Sequence, residues 1–283
     1  MKKLLSILLA LTLMLSSGIV SVFAEDESHV HVWSDWITEE ESTCDEHGSD
    51  YRFCEECGQY EYREVPFAPH EWGDWKVIRK ATPYKEGKKE RYCENCDETQ
   101  TEKIAKRKLT ANQKKAVGVV NTYLKAARSY KVNKMNSCFK KGSKKYGYPV
   151  KEINGVFKKY NKKIKWSMVD VTGKGKTIKV KVKVTRPDFY TQAYNSFYET
   201  FKWYILHPNV SDSKLTNKLF GKYRTKVKNC TKKTSTDTVV FTIVKSGKKW
   251  KIKTQTRTIV DIATAFYWIG SDNATDDFLR EYS

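Results

Sequence analysis

The chain reads as an α+β protein: two small β-rich modules precede a larger unit in which antiparallel strands pack on helices. Three observations predict this. The segment from His31 to Cys57 recurs from His70 to Cys96, and a fixed period in that range marks a tandem module. From Ala116 to Ala127 the apolar residues fall at helical spacing. From Ile178 to Val184 they alternate strictly with lysines, which is the signature of a half-buried strand.

The repeat comes first. His31, Trp33, Trp36, Gly48, Arg52 and Cys57 map onto His70, Trp72, Trp75, Gly87, Arg91 and Cys96 at one offset of 39. The template is H-x-W-x-x-W followed by T, G and R-[FY]-C-x-x-C. One landmark breaks it: Cys44 in the first copy is Pro83 in the second. This template resembles the short Trp-rich, CxxC-bearing repeats strung along secreted surface proteins of Gram-positive bacteria, which are zinc-ribbon-like. The W-x-x-W…R-x-C order is also similar, more loosely, to thrombospondin type-one modules, in which Trp and Arg side chains stack in layers.

Modules of this size bury too little apolar surface to hold together unaided, so staples are expected. Zinc is one candidate. Copy one offers Cys44, Cys54 and Cys57 with a histidine, a Cys₃His set on a CxxC knuckle. That histidine is His31 or His70, with His29 and His47 weaker because neither recurs in copy two. Copy two offers His70, Cys93 and Cys96, one ligand short. The rival is oxidation within each knuckle, which closes a very short loop and stabilises little. A redox-active CxxC is not expected, since no thioredoxin-like βαβ pattern surrounds either one. Each Trp pair is expected to pack over its own arginine, Arg52 or Arg91, as a cation–π layer; the alternative is an exposed aromatic platform for a sugar or peptide.

Residues 1–24 have the form of a secretory signal peptide: Lys2 and Lys3, an apolar run from Leu4 to Leu15, then Val22-Phe23-Ala24. No Cys follows that site, so a lipid anchor is not expected. No later run of about 18 apolar residues predicts a membrane span. No sortase motif ends the chain, so attachment to the cell wall would be non-covalent. The expected location is outside the cell. The expected division is repeat one at 29–66, repeat two at 67–100, a linker at 101–109 and a basic domain at 110–283.

Charge separates these parts. Residues 25–100 hold 9 Lys/Arg against 21 Asp/Glu, whereas 101–283 hold 42 against 12. A domain of net +30 attracts polyanions through its field and through counterion release, unless its lysines serve only solubility. Outside a bacterial cell the partner would be an anionic cell-wall polymer or an acidic partner, with nucleic acid not the expected physiological ligand.

In the basic domain Thr110 and Gln113 form a capping box that opens the first helix. A short helix carries Val132, Met135 and Phe139, and a third runs from Pro149 to Tyr160. Strands follow at Ile164–Met168 and Ile178–Val184, the latter ended by Pro187. Asp188 caps a helix rich in aromatics, from Tyr190 to Tyr204. A helix from Lys214 to Asn229 precedes a hairpin with its turn at Ser246-Gly247. Asp261 to Ile269 reads as a helix terminated by Gly270. The element order, with Val184-Thr185-Arg186-Pro187-Asp188 and Gly247-Lys248-Lys249-Trp250-Lys251-Ile252, resembles nuclear-transport-factor-like domains. That likeness implies a curved antiparallel sheet wrapped on helices to form a cone; the Lys214–Asn229 helix and the tail after Arg257 depart from it.

Some members of that superfamily are enzymes using an Asp and a Tyr inside the cone. Here Asp170, Asp188 and Asp261 are the candidate buried acids, and His207 is the domain's sole histidine. No catalytic residue is expected: Asp188 is explained as a cap and His207 adjoins Pro208. The aromatic helix reads as core rather than ligand box, and Cys138 and Cys230 could pair. The functional expectation is a non-enzymatic exported binding or adhesion protein whose basic domain holds an anionic polymer or a small ligand; the alternative is an enzyme with an acid/base site in the cone. The residues expected to meet a polyanion are Lys179, Lys181 and Lys183, joined by Lys251 and Lys253 if their strands are neighbours.

Overall fold

The computed structural model describes residues 29–143, 147–148, 151–230 and 234–282. The expected signal peptide and the start of the third helix at Pro149 lie outside them. The chain forms two compact units: one runs to Gly73 and also takes in Tyr92–Glu98, and the other holds Asp74–Arg91 and Thr99–Ser283. The α+β class is as expected.

Each repeat folds into a three-stranded antiparallel sheet, β1 (Ile37–Glu40), β2 (Gly48–Phe53) and β3 (Tyr60–Val65) in copy one, and β4 (Lys76–Arg79), β5 (Gly87–Tyr92) and β6 (Thr99–Ile104) in copy two. Both first strands slip register at the same place, between Thr38 and Glu40 and between Val77 and Arg79. The recurring glycine is forced by the bend. A Cβ on Gly48 would stand 2.5 Å from the Ser42 nitrogen, and one on Gly87 2.6 Å from the Arg79 oxygen. β6 occupies the first half of the expected linker, because Thr101 to Ile104 completes the second sheet.

The first unit has almost no apolar core. Among its described residues the buried hydrophobic side chains are Cys54 and Cys93, while Tyr60, Tyr62 and Phe67 are more than half exposed. What holds the strands is polar and aromatic. Arg63 grips the buried Asp50 with both Nε and Nη2, at 2.9 and 2.7 Å. The Arg52 guanidinium lies 4.9 Å from the Trp33 ring and 4.6 Å from that of Trp36. Copy two repeats this with Arg91 4.8 Å from the Trp75 ring, so the cation–π layer is present in both.

The second unit is built on a four-stranded antiparallel sheet in the order β10-β9-β8-β7, with β7 (Lys165–Thr172), β8 (Thr177–Pro187), β9 (Thr234–Ser246) and β10 (Lys249–Ile252). β8 follows its alternation: Ile178, Val180, Val182 and Val184 are buried, and the lysines between them are exposed. On the inner face they meet Val239, Phe241, Ile243 and Ile252, covered by Val120, Tyr123 and Leu124 of α1 (Ala111–Arg128) and by Ile259 and Ile262 of α6 (Arg257–Thr264). The capping box of α1 forms in full, Thr110 and Gln113 each bonding the other's backbone N–H. Between them come α2 (Val132–Ser137) and α3 (Asn154–Tyr160), and between β8 and β9 come α4 (Tyr190–Ile205) and α5 (Asp212–Asn229).

Three expectations change. The final apolar segment is two helices, α6 and α7 (Tyr267–Tyr282), separated by Ala265 and Phe266 at φ 50° and 64°. Gly270 does not end a helix but lies inside α7, buried against α4. And α4 buries Ala193, Ser196 and Thr200 rather than its aromatics, which stack along its flank, Tyr194 on Tyr198 at 5.7 Å. Small residues face the helix crossing because backbones that approach closely leave no room for rings.

Candidate metal centres and basic face

Each knuckle is a tight turn between two strands. After Cys54 the chain reverses so that Gly58 donates to the Cys54 carbonyl at 2.8 Å, with Gly58 at φ 72°. The leader of each repeat is clipped against its own knuckle by two backbone bonds that recur at the offset. Ser34 donates to Phe53 and Glu55 to Val32, at 2.9 and 3.0 Å; Gly73 donates to Tyr92 and Glu94 to Glu71, at 3.0 and 2.8 Å. This places His31 and His70 over their own CxxC turns. His31 Nδ1 stands 3.6 Å from Cys57 Sγ, and His70 Nδ1 3.4 Å from Cys96 Sγ.

Two four-donor clusters result, His29, His31, Cys54 and Cys57, and Cys44, His70, Cys93 and Cys96, each with donor atoms within 4.8 Å of one another. The expected grouping is thus corrected. Cys44 does not join Cys54 and Cys57: its sulfur lies 3.6 Å from that of Cys93. The fourth donor of the first cluster is His29, with Nε2 3.4 Å from Cys54 Sγ. Copy two supplies three donors, as expected, and Cys44 of copy one makes the fourth. His47 belongs to neither, since it pairs with Glu64 at 2.8 Å and stacks on Phe67. All seven cysteines are free thiols, so neither the knuckle disulfides nor a Cys138–Cys230 bridge forms.

The donor sets, two sulfurs with two imidazoles and three sulfurs with one, are those a tetrahedral ion takes. Bonds of about 2.3 Å to sulfur and 2.0–2.1 Å to nitrogen put tetrahedral neighbours about 3.6 Å apart for N and S and about 3.8 Å for S and S. The contacts above fall between 3.4 and 3.6 Å. Burial works against ionising Cys54, yet the backbone N–H groups of Cys57 and Glu56 and the imidazoles of His29 and His31 outweigh it, bringing the thiol down to about 5. Cys93 falls to about 6 in the same way, through the N–H of Asn95 and the side chains of His70, Cys96 and Cys44. Cys44 rises to about 12, because it hydrogen-bonds Cys96, is desolvated, and faces Cys93. A cation among the three sulfurs would invert that order, since a coordinating thiol is deprotonated outright.

The basic face belongs to the second unit. Lys179, Lys181 and Lys183 are exposed on the outer side of β8. Pairing puts Thr242, Val240 and Thr238 beside them on β9, and Thr172, Asp170 and Ser167 on β7. Asp170 is the one carboxylate among the outward residues of these four strands, and Arg107 holds it at 2.6 Å. β10 is not a neighbour of β8, because β9 lies between them. Lys253 donates its backbone N–H to Thr242, so it reaches the row of Lys179 across one strand. Lys251 turns to the sheet edge, where its ammonium donates to the Ser137 carbonyl. There it lines a cleft of about 470 Å³ with Lys115, Lys134 and Lys249, which sequence spacing could not reveal because the four lie on three separate elements.

Each candidate acid has a partner of its own, Asp170 in Arg107. Asp188 accepts the Tyr190 N–H at 3.1 Å but stands one residue ahead of the expected place, since Phe189 holds the N-cap position of α4. Asp261 is buried and burial pushes its carboxyl up to about 6, against the pull of Thr264, Arg186 and Arg257. Its hydroxyl partner is Thr264, at 3.1 Å on its own helix, whereas Tyr123 gives its hydroxyl to the Ile259 carbonyl. His207 bonds the Trp203 carbonyl at its own helix end and stacks on the Trp203 ring at 4.3 Å. Arg186, which sequence reasoning passed over, is 1% exposed and pairs with Asp237 at 2.7 Å.

Among the described residues no helix is long and apolar enough to cross a membrane. No family profile matches the sequence, and no curated protein matches it. Among solved structures, a Bacillus subtilis protein described as a candidate lipoprotein (ycdA) is similar at 12% identity over 82% of this chain and 94% of its own, with a TM-score of 0.29.

Proposed function

We propose that this chain is an exported, envelope-associated binding protein whose basic unit holds an anionic cell-wall polymer along the outer face of its sheet, and whose repeats are stapled by zinc rather than by disulfides. The observation that carries the reading is the lysine row of β8. A strand that alternates Ile/Val with Lys presents its charges about 6.7 Å apart, the two-residue rise of a strand. The surrounding outward positions are mostly Thr and Ser, and the single carboxylate among them is already engaged by Arg107. Such a face offers a repeating polyanion regular cationic contacts with no competing acid. It offers a small neutral substrate nothing.

The test is a titration of the full chain with polyphosphate and with purified wall polymer as salt rises. Binding should weaken steeply, and Lys179→Gln, Lys181→Gln and Lys183→Gln together should flatten the log–log salt slope by about 2, since each phosphate contact contributes about 0.7–0.9. Binding that ignores salt, or a slope unchanged by the triple substitution, rejects the reading.

A further inference from the structure

We propose that the second metal centre is a clasp between the two repeats, in which Cys44 of repeat one supplies the ligand that repeat two lacks. The offset of 39 makes the argument. It carries His29 onto Ala68, Cys44 onto Pro83 and His47 onto Glu86; with His47 held by Glu64, copy one keeps two donors without counterparts and copy two keeps none. His29 completes its own centre from two residues ahead of His31. Ala68, in the same place ahead of His70, has no donor atom to offer. The gap is filled from outside the repeat: the Ala68 N–H donates to the Thr43 carbonyl at 2.9 Å, and this bond sets the next residue, Cys44, beside His70, Cys93 and Cys96.

The turn that presents Cys44 is a conserved part of the module geometry within this chain. Thr43 takes the N–H of Glu46 on its hydroxyl at 2.9 Å and gives its own N–H to the Glu46 carbonyl at 2.9 Å. Copy two builds the same turn, Thr82 with Lys85, at 3.0 and 2.9 Å. It even makes the same onward bond, Arg107 N–H to the Thr82 carbonyl at 3.1 Å, and 107 is 68 displaced by 39. The residue after Thr82 is Pro83, and where a third His would stand is Leu109. Every module thus docks its turn on the chain that follows. Only where a CxxC knuckle follows does the turn carry a cysteine. The template's single broken landmark is therefore a consequence of order: the last module has no successor to clasp. Metal binding would release to solvent every proton the three thiols carry, that of Cys44 included, and join three thiolates and one imidazole on one ion, against two and two in the first centre.

The experiment uses the full chain, stripped and reloaded with cobalt(II), whose thiolate charge-transfer bands report how many sulfurs are bound. The wild type should take up two ions. Cys44→Ser should weaken one of them by at least the 10–100-fold that loss of a mere supporting partner costs, and remove one thiolate from its spectrum. In a Cys93→Ser background, where the first centre alone remains, Cys44→Ser should change nothing. Adding Ala68→His to Cys44→Ser should restore the second ion with a two-thiolate spectrum, because it installs the donor that His29 provides in copy one. The clasp is overturned if Cys44→Ser alters the first centre, or leaves both ions equally tight. A Cys44–Cys93 disulfide in the native protein, or a loss that Ala68→His does not repair, overturns it as well.

Discussion

A methyl group placed on Gly270 of α7 would lie 2.6 Å from the Tyr190 carbonyl oxygen of α4. The two helices approach closely at that point, and side chains fasten them beyond it: Asn273 bonds the Tyr190 hydroxyl at 3.0 Å and Tyr194 bonds Asp277 at 2.8 Å. In an open helix Gly→Ala would stabilise by about 1 kcal/mol. Here the sign reverses. Gly270→Ala should destabilise by about 1–3 kcal/mol, read as a lower denaturant midpoint.

Asp261 gives a pH signature. Its folded carboxyl titrates at about 6 against an ordinary 3.8, so the folded state holds a proton that the unfolded chain has released. Stability from this group is present below about pH 4 and is lost as pH rises through 6. The difference is roughly 2–3 kcal/mol at most. Asp261→Asn should abolish that slope and stabilise the protein at neutral pH. A pH 4–7 stability profile that keeps its slope in the variant contradicts the assignment.

Arg186 is buried with its Nη2 on Asp237, while its Nε and Nη1 find no hydrogen-bond partner among the described residues and its guanidinium sits 4.1 Å from the Phe266 ring. Asp237 is 43% exposed, so removing it strands a charge that water can reach only partly. Asp237→Ala should cost about 1–3 kcal/mol. Arg186→Met should cost less, because the charge leaves with the side chain.

The lysine row has a price in the free protein. Neighbouring ammonium groups about 6.7 Å apart repel by about 0.6 kcal/mol per pair at the dielectric of water. The triple Lys→Gln variant should therefore melt higher than the wild type at low salt. The gap should close at about 1 M, where the screening length falls to about 3 Å.

What the sequence revealed and what it hid follow from distance along the chain. β8 was legible because alternation is a property of adjacent residues, and α1 because its capping box spans three. Gly270 misled because Gly after an apolar run reads as a terminator, while the actual break, at Ala265 and Phe266, uses left-handed backbone at residues that do not advertise it. The aromatic face of α4 was misjudged because bulk reads as burial, although close crossing selects Ala193, Ser196 and Thr200. Cys44 was assigned to the nearer knuckle. Nothing local could correct that, and a count alone could not either: His29, Cys44 and His47 are all unmatched, and only the pairing of His47 with Glu64 leaves one donor of copy one to spare for copy two.

The lack of an apolar core in the first unit has a thermal consequence. Heat capacity of unfolding arises chiefly from apolar surface newly wetted, and this unit has little to wet, with Tyr60, Tyr62 and Phe67 already exposed. Its stability curve should be nearly flat with temperature, showing neither a pronounced optimum nor cold denaturation. Mass action would govern it instead, adding about 1.4 kcal/mol for each tenfold rise in free metal above the dissociation constant. The β8 unit should melt at a temperature; the first unit should melt at a concentration.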